Sequence, residues 1–209
     1  MVVDESSFGG LQGVAHIDQP PSKGAEEKAE TKGENVTFIL NMFGVEGDQD
    51  KLEEEAKGSM ATTLKQAGIT NFTIYTQKEY KALPRLTKIG LWLSSIFGGN
   101  VWYSYSITLR HKGGSFSGHK IMVDKNTLNR SSTPAHYFAN ATLHEAFHQI
   151  TGNYLMDAWV VAQRDIESGW RQGLCGERGT IMGPKMAENV NTLYFSYPDA
   201  QELKEKLGY

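Results

Sequence analysis

The chain has 209 residues, a net charge of −3 and an isoelectric point near 6.1. With 39% hydrophobic residues it is long and apolar enough for one domain with its own core. The charge balance offers no basic surplus for nucleic acid or an anionic membrane surface, and a lone cysteine, Cys175, excludes an internal disulfide.

Residues 1–7 have neither the basic start nor the apolar run of a secretory leader. The most apolar internal stretch, residues 90–98, is too short to span a bilayer, so no membrane insertion is expected. The expected locations are the cytoplasm, or export by a leaderless route or within a larger secreted chain. Residues 1–34 are rich in Pro, Gly, Lys and Glu around positions 19–33 and have little to bury. Ordering such a segment costs entropy that no packing offsets, so it reads as a disordered linker or tail before a domain over 35–209.

Residues 36–43 form a short β-branched and apolar run ending at Gly44, which predicts a strand. From Asp48 to Ala67, the residues Leu52, Ala56, Met60, Leu64 and Ala67 recur at helical spacing, and Gly68 supplies a stop. Residues 71–76 predict a second strand, and residues 78–98 are ambiguous. Residues 101–109 alternate as a third strand, a turn follows at Gly113 and Gly114, and residues 120–124 make a short fourth. A helix is predicted to start at Pro134, with Thr133 able to cap it, and to stop at Gly152. Residues 156–170 suggest another helix, and residues 200–207 a terminal one.

The helix over 134–151 carries the chemistry. His144 and His148 lie four residues apart, one turn along a common face, where two imidazoles can reach one ion. Glu145 lies beside them, too far round the helix to ligate yet able to take a proton from a water that the metal has acidified. His-Glu-x-x-His on a helix is the pattern of zinc peptidases that use the glutamate as general base. A catalytic zinc takes three protein ligands, and no histidine follows His148. The third donor is then a downstream carboxylate, with Asp157 first, Glu167 second and Asp165 third, or one of the upstream His111, His119 and His136. Cys175 has no partner histidine marked by sequence and reads as a buried thiol. No cofactor beyond Zn2+ is indicated.

His144-Glu145-Ala146-Phe147-His148 followed by Gly152, then Gly179-Thr180-Ile181-Met182-Gly183, resembles the metzincin clan of zinc peptidases. The resemblance spans roughly residues 35–209. It implies an α+β fold: a small mixed β-sheet with a backing helix, an active-site helix, a methionine turn at Met182 beneath the metal, and a closing C-terminal helix. It also implies a tyrosine near the metal that stabilises the oxyanion, for which Tyr154 and Tyr194 are candidates. In the clan a glycine stands three residues after the second histidine and the third ligand six after. Here Gly152 is four after, and the sixth position is Tyr154. A thermolysin-like arrangement with Glu167 as third ligand is the alternative among peptidases, although Ser168-Gly169-Trp170 lacks the aspartate expected there.

The expected function is therefore a zinc metalloendopeptidase acting on a protein or peptide substrate. The leaderless N-terminal stretch before a compact peptidase also resembles the metallopeptidase domains of bacterial polymorphic toxins, which would add an inhibitor or immunity protein as partner. A catalytically inactive binding domain on a peptidase fold is the competing expectation, motivated by the missing histidine at position 154.

Overall fold

The computed structural model describes residues 33–109, 114–117, 119–152, 180–182 and 193–209. Most of the expected 1–34 tail, the expected 156–170 helix and Cys175 lie outside them. The described fold begins at Gly33, whose carbonyl accepts from Asn71 Nδ2, and Glu34 N donates to Leu207 O at 2.8 Å.

A five-stranded sheet is formed by β1 (Val36–Asn41), β2 (Phe72–Tyr75), β3 (Val101–Ile107), β4 (Gly114–Ser117) and β5 (Lys120–Asp124), in the order β2-β1-β3-β5-β4. The first four strands in that order run parallel, and only β4 is antiparallel, against β5. Parallel strands need crossovers, and the segments between β1, β2 and β3 supply them as helices. The first is α1 (Gln49–Gln66), capped by Asp48, whose side chain accepts from Lys51 N. Gly68, at φ 80°, follows in the left-handed region that favours glycine, so the chain turns off the helix there. The ambiguous stretch after β2 resolves into α2 (Gln77–Ala82) and α3 (Arg85–Ile96). Pro84 separates them, because the residue before a proline is pushed out of helical geometry.

Two further elements differ from the sequence expectation. Gly114, expected in a turn, opens β4, and α4 (Lys125–Arg130) follows β5 directly, with Asp124 as its N-cap. The strand after α3 also stops two residues early, at Ile107.

The centre of the domain is α5 (Pro134–Thr151). Twelve of its residues are buried, among them Tyr137, Phe138, Leu143, Phe147 and His148. A helix buried on nearly all sides must have neighbours all round it. α5 packs against α1, β5, β4, α4 and the closing helix α6 (Tyr197–Lys206). On the sheet side, Trp102 Nε1 donates to Gln149 Oε1 at 2.8 Å, and Ser104 Oγ and Thr142 Oγ1 lie 2.6 Å apart. Phe38 stacks on Trp102 in the same layer. The core thus lies between the sheet and the α1, α5 and α6 helices, with Met60, Leu64, Ile121, Leu203 and Leu207 filling it.

Pro134 occupies the start of α5 as expected, but Thr133 makes no side-chain capping hydrogen bond. Its backbone N–H instead donates to Ser131 Oγ, which shapes the approach to the helix. α5 ends at Gly152, φ 71°, whose N–H closes on His148 O.

Candidate metal-binding site

His144 and His148 project from the last two turns of α5. Their Nε2 atoms face each other at 3.1 Å, with the rings edge-on at 82°. Behind them, His144 Nδ1 lies 2.9 Å from Ile181 O. A carbonyl only accepts, so the proton sits on Nδ1 and the neutral ring keeps its lone pair on Nε2. That is the tautomer a metal ligand needs, and a backbone carbonyl behind a ligating histidine is the usual way it is fixed. Two imidazole nitrogens on one tetrahedral zinc stand roughly 3.3 Å apart, given bonds of about 2.0–2.1 Å. The observed separation is within a few tenths of an ångström of that. With the His144 proton on Nδ1, His148 Nε2–H donates to His144 Nε2 across this gap, and the two nitrogens fit a metal once that proton is displaced.

Burial of the pair is uneven. His148 is 1% exposed while His144 is half-buried. Glu145 is buried beside them. Its charge reaches as far as Tyr137. Burial first, then the charges of Asp124 and Glu145, push the Tyr137 phenol up to about 12.

The segment around Met182 is tied to this helix. Ile181 and Met182 are both buried in the main core. Ile181 N donates to Tyr194 O at 2.9 Å while Ile181 O takes the His144 proton, so one residue links the histidine to residue 194. Neighbours of Tyr194 are strapped to the helices: Leu193 N donates to Asn140 Oδ1, Thr63 Oγ1 donates to Leu193 O, and Phe195 stacks on Phe147. Tyr194 itself is partly exposed.

The structure thus brings together His144, His148, Glu145, Ile181, Met182 and the Tyr194 backbone. It does not bring in His119 or His136. His119 Nδ1 lies 3.1 Å from Val101 O with its ring stacked on Trp102, and His136 faces Glu55. Among the described residues no third His, Cys, Asp or Glu joins the pair. Asp157, Asp165, Glu167, Tyr154 and His111 lie outside the described residues.

Sequence reasoning missed the Ile181 carbonyl, since a backbone acceptor leaves no mark on residue type. It also missed Asn140 and Thr142. Their signal was present, as two polar residues in an otherwise apolar run of helix. No family model matches the chain, and no curated protein matches it significantly.

Proposed function

We propose that this chain is a metal-dependent endopeptidase, with His144 and His148 as two of the metal ligands and Glu145 as general base. The observation that carries the reading is the convergence of the two Nε2 atoms at 3.1 Å, with the Ile181 carbonyl fixing the His144 tautomer from behind. Zinc suits an imidazole set of this kind, and Asp157, Glu167 or Asp165 would complete it. When bound, the ion supplies Lewis acidity toward a scissile carbonyl and makes a nearby water acidic.

The chain's own part is proton handling and positioning. Glu145 accepts a proton from the attacking water and returns it to the leaving amine. Its burial strips away competing solvent, so its charge acts at short range on the reacting atoms. His144 is held by Ile181, and Ile181 is held in turn by residue 194 and the core. The Met182 segment therefore acts as a rigid floor for the ligand, as the metzincin resemblance implies. The mixed sheet with α1 and the closing helix packed on α5 is compatible with the α+β class.

The test is made on purified protein. The expected result is about one zinc per chain, with Glu145→Gln keeping the metal but losing cleavage of an unstructured protein substrate. Metal-free protein, or undiminished cleavage by Glu145→Gln, sinks the reading. A second reading is a peptidase fold used for binding alone, favoured by tyrosine at position 154. It predicts no cleavage by the wild type, with or without bound zinc. Use as a toxin or effector is tested by expressing wild type and Glu145→Gln in a bacterial host. Equal growth counts against it in that host.

A further inference from the structure

The helix α3 is built inside out. Its one buried residue is Ser95, while Leu86, Ile89, Trp92, Leu93, Ile96 and the capping Phe97 are all exposed. Leu86, Ile89, Leu93 and Ile96 follow at spacings of three, four and three, which places them on one face of the helix. At the two ends, Leu86 is 82% and Phe97 81% exposed. Leaving so many large apolar side chains together in water forfeits their transfer free energy, and contiguous exposed patches of this kind mark interaction surfaces.

The charge around this face is one-sided. Residues 77–100 hold Lys78, Lys81, Arg85 and Lys88 against one acid, Glu79. Glu79 is engaged by Lys57, and Lys78 by Asp50. Lys81, Arg85 and Lys88 have no carboxylate within salt-bridge distance among the described residues, in a chain whose net charge is −3. Arg85 stands on the apolar side itself, four residues before Ile89 and seven before Trp92. Beside the helix, a cleft of about 670 Å³ opens, lined by Trp92, Ile96, Tyr103, Tyr105, His119 and Lys120. It is aromatic and carries a cation at its edge.

We propose that the outward face of α3 docks this protein on an anionic lipid surface. Apolar side chains standing proud of a helix, with tryptophan among them and, at one end, Lys81, Arg85 and a Lys88 that donates to Lys81 O and lies over the Tyr80 ring, are what an interfacial helix presents to headgroups and upper acyl chains. The helix lies flat, about 18 Å long from its 12 residues. No helix among the described residues is long and apolar enough to cross a membrane, so the contact is with the interface alone. Cations with no carboxylate partner among the described residues favour anionic over neutral lipid. The aromatic cleft with Lys120 gives one headgroup or chain end a place beside the helix. This docking is independent of the hydrolytic reading, because α3 packs against β3 on the sheet face away from α5.

The experiment is sedimentation of the full chain with vesicles of phosphatidylcholine alone, and with phosphatidylglycerol added in equal part. The expected result is binding to the mixed vesicles that weakens with salt, and little binding to the neutral ones. Lys81→Gln with Arg85→Gln lowers the anionic binding roughly thirtyfold. Leu86→Ser with Phe97→Ser lowers it roughly a hundredfold. These positions are exposed, and an unchanged far-ultraviolet circular dichroism spectrum verifies that the variants fold. Absence of vesicle binding by folded wild type overturns the proposal, as does binding that neither pair of substitutions reduces. A concentration-dependent dimer in lipid-free solution that Leu86→Ser with Phe97→Ser abolishes also overturns it, since a second copy then covers the face.

Discussion

His144 and Ile181, 37 residues apart, are joined by a 2.9 Å hydrogen bond from the imidazole Nδ1 to the backbone carbonyl. It connects the end of the central helix to the short segment that carries Met182. Because the acceptor is backbone, no substitution at position 181 removes it directly. The consequence shows instead in metal binding. His144→Ala and His148→Ala should each reduce zinc retained after dialysis to near background, while Met182→Leu, a volume-conserving change in the core, should leave it almost unchanged. Among Asp157→Asn, Asp165→Asn and Glu167→Gln, one should weaken zinc by at least about tenfold in competition with a chromophoric chelator. If all three bind zinc as the wild type does, the third donor is not a carboxylate from this set.

Glu53 is fully buried, and its carboxylate joins three elements. Oε1 accepts from Met42 N and Gln49 Nε2 at 2.9 Å, and Oε2 accepts from Gln77 N at 2.6 Å. It thus ties the end of β1 and the start of α2 to α1. Glu53→Ala leaves two backbone donors without their acceptor, at about 1–3 kcal/mol each. The expected loss is about 3–4 kcal/mol in urea unfolding. Glu53→Gln keeps one acceptor oxygen and should lose about half as much. A loss under about 1 kcal/mol for the alanine variant would show that water replaces the carboxylate there.

Much of this architecture was legible in the residues, and the exceptions share a cause. β1 was legible as a continuous apolar run because it is buried on both faces, and α1 followed the apolar periodicity because it buries one regular face against the core. α5, buried on nearly all sides, was legible instead from its boundaries, which local backbone preference sets at Pro134 and Gly152. α3 was ambiguous because its apolar residues face outward, so periodicity gave no sign of which side meets the sheet. β4 was missed because Gly-Ser-Phe-Ser has weak strand character and owes its place to pairing with β5. α4 was missed because six residues show little periodicity, and the cap at Asp124 defines the helix. At the site, side-chain chemistry marked His144, Glu145 and His148. The backbone acceptor that orients His144 left no trace in composition.

Asp124 caps α4 and also holds the segment just past β3. Its carboxylate accepts from Thr127 N at 3.0 Å, Thr127 Oγ1 at 2.6 Å and Leu109 N at 3.1 Å. Burial alone would raise its pKa, but the hydrogen bonds from Thr127 and Leu109 outweigh that and hold it below its ordinary value of 3.8. A lowered carboxylate pKa contributes stability that is complete above the unfolded value and is lost as pH falls through the folded one. Asp124→Ala should therefore cost about 2 kcal/mol at neutral pH. Asp124→Asn should flatten the fall in melting temperature below pH 4 compared with wild type. An acid limb of identical slope in the Asn variant would assign that sensitivity to other carboxylates.

Tyr137 presents the opposite case, a buried group with no hydrogen-bond partner among the described residues. Its ring is 1% exposed and its hydroxyl makes no hydrogen bond among the described residues. Burial, with the charges of Asp124 and Glu145, raises the phenol to about 12 from an ordinary value of 10.0. A raised pKa means that the neutral phenol is the form the fold tolerates. Stability is thus unaffected below pH 10 and is lost as pH rises toward 12. At neutral pH the cost is a desolvated hydroxyl left unsatisfied, about 1–3 kcal/mol. Tyr137→Phe removes that hydroxyl and keeps the ring that fills the core. It should raise stability by about 1 kcal/mol at pH 7 and remove part of the alkaline loss, read by urea unfolding at both pH values. Near-ultraviolet titration of the wild type should show two tyrosines ionising well after the rest, Tyr137 and Tyr103, the latter held up by burial and by the Tyr80 hydroxyl beside it, and the late amplitude should fall by one tyrosine in the variant. A loss of stability on Tyr137→Phe would mean instead that the hydroxyl is held by a bound water or ion, bridging the helix to the carboxylates around it.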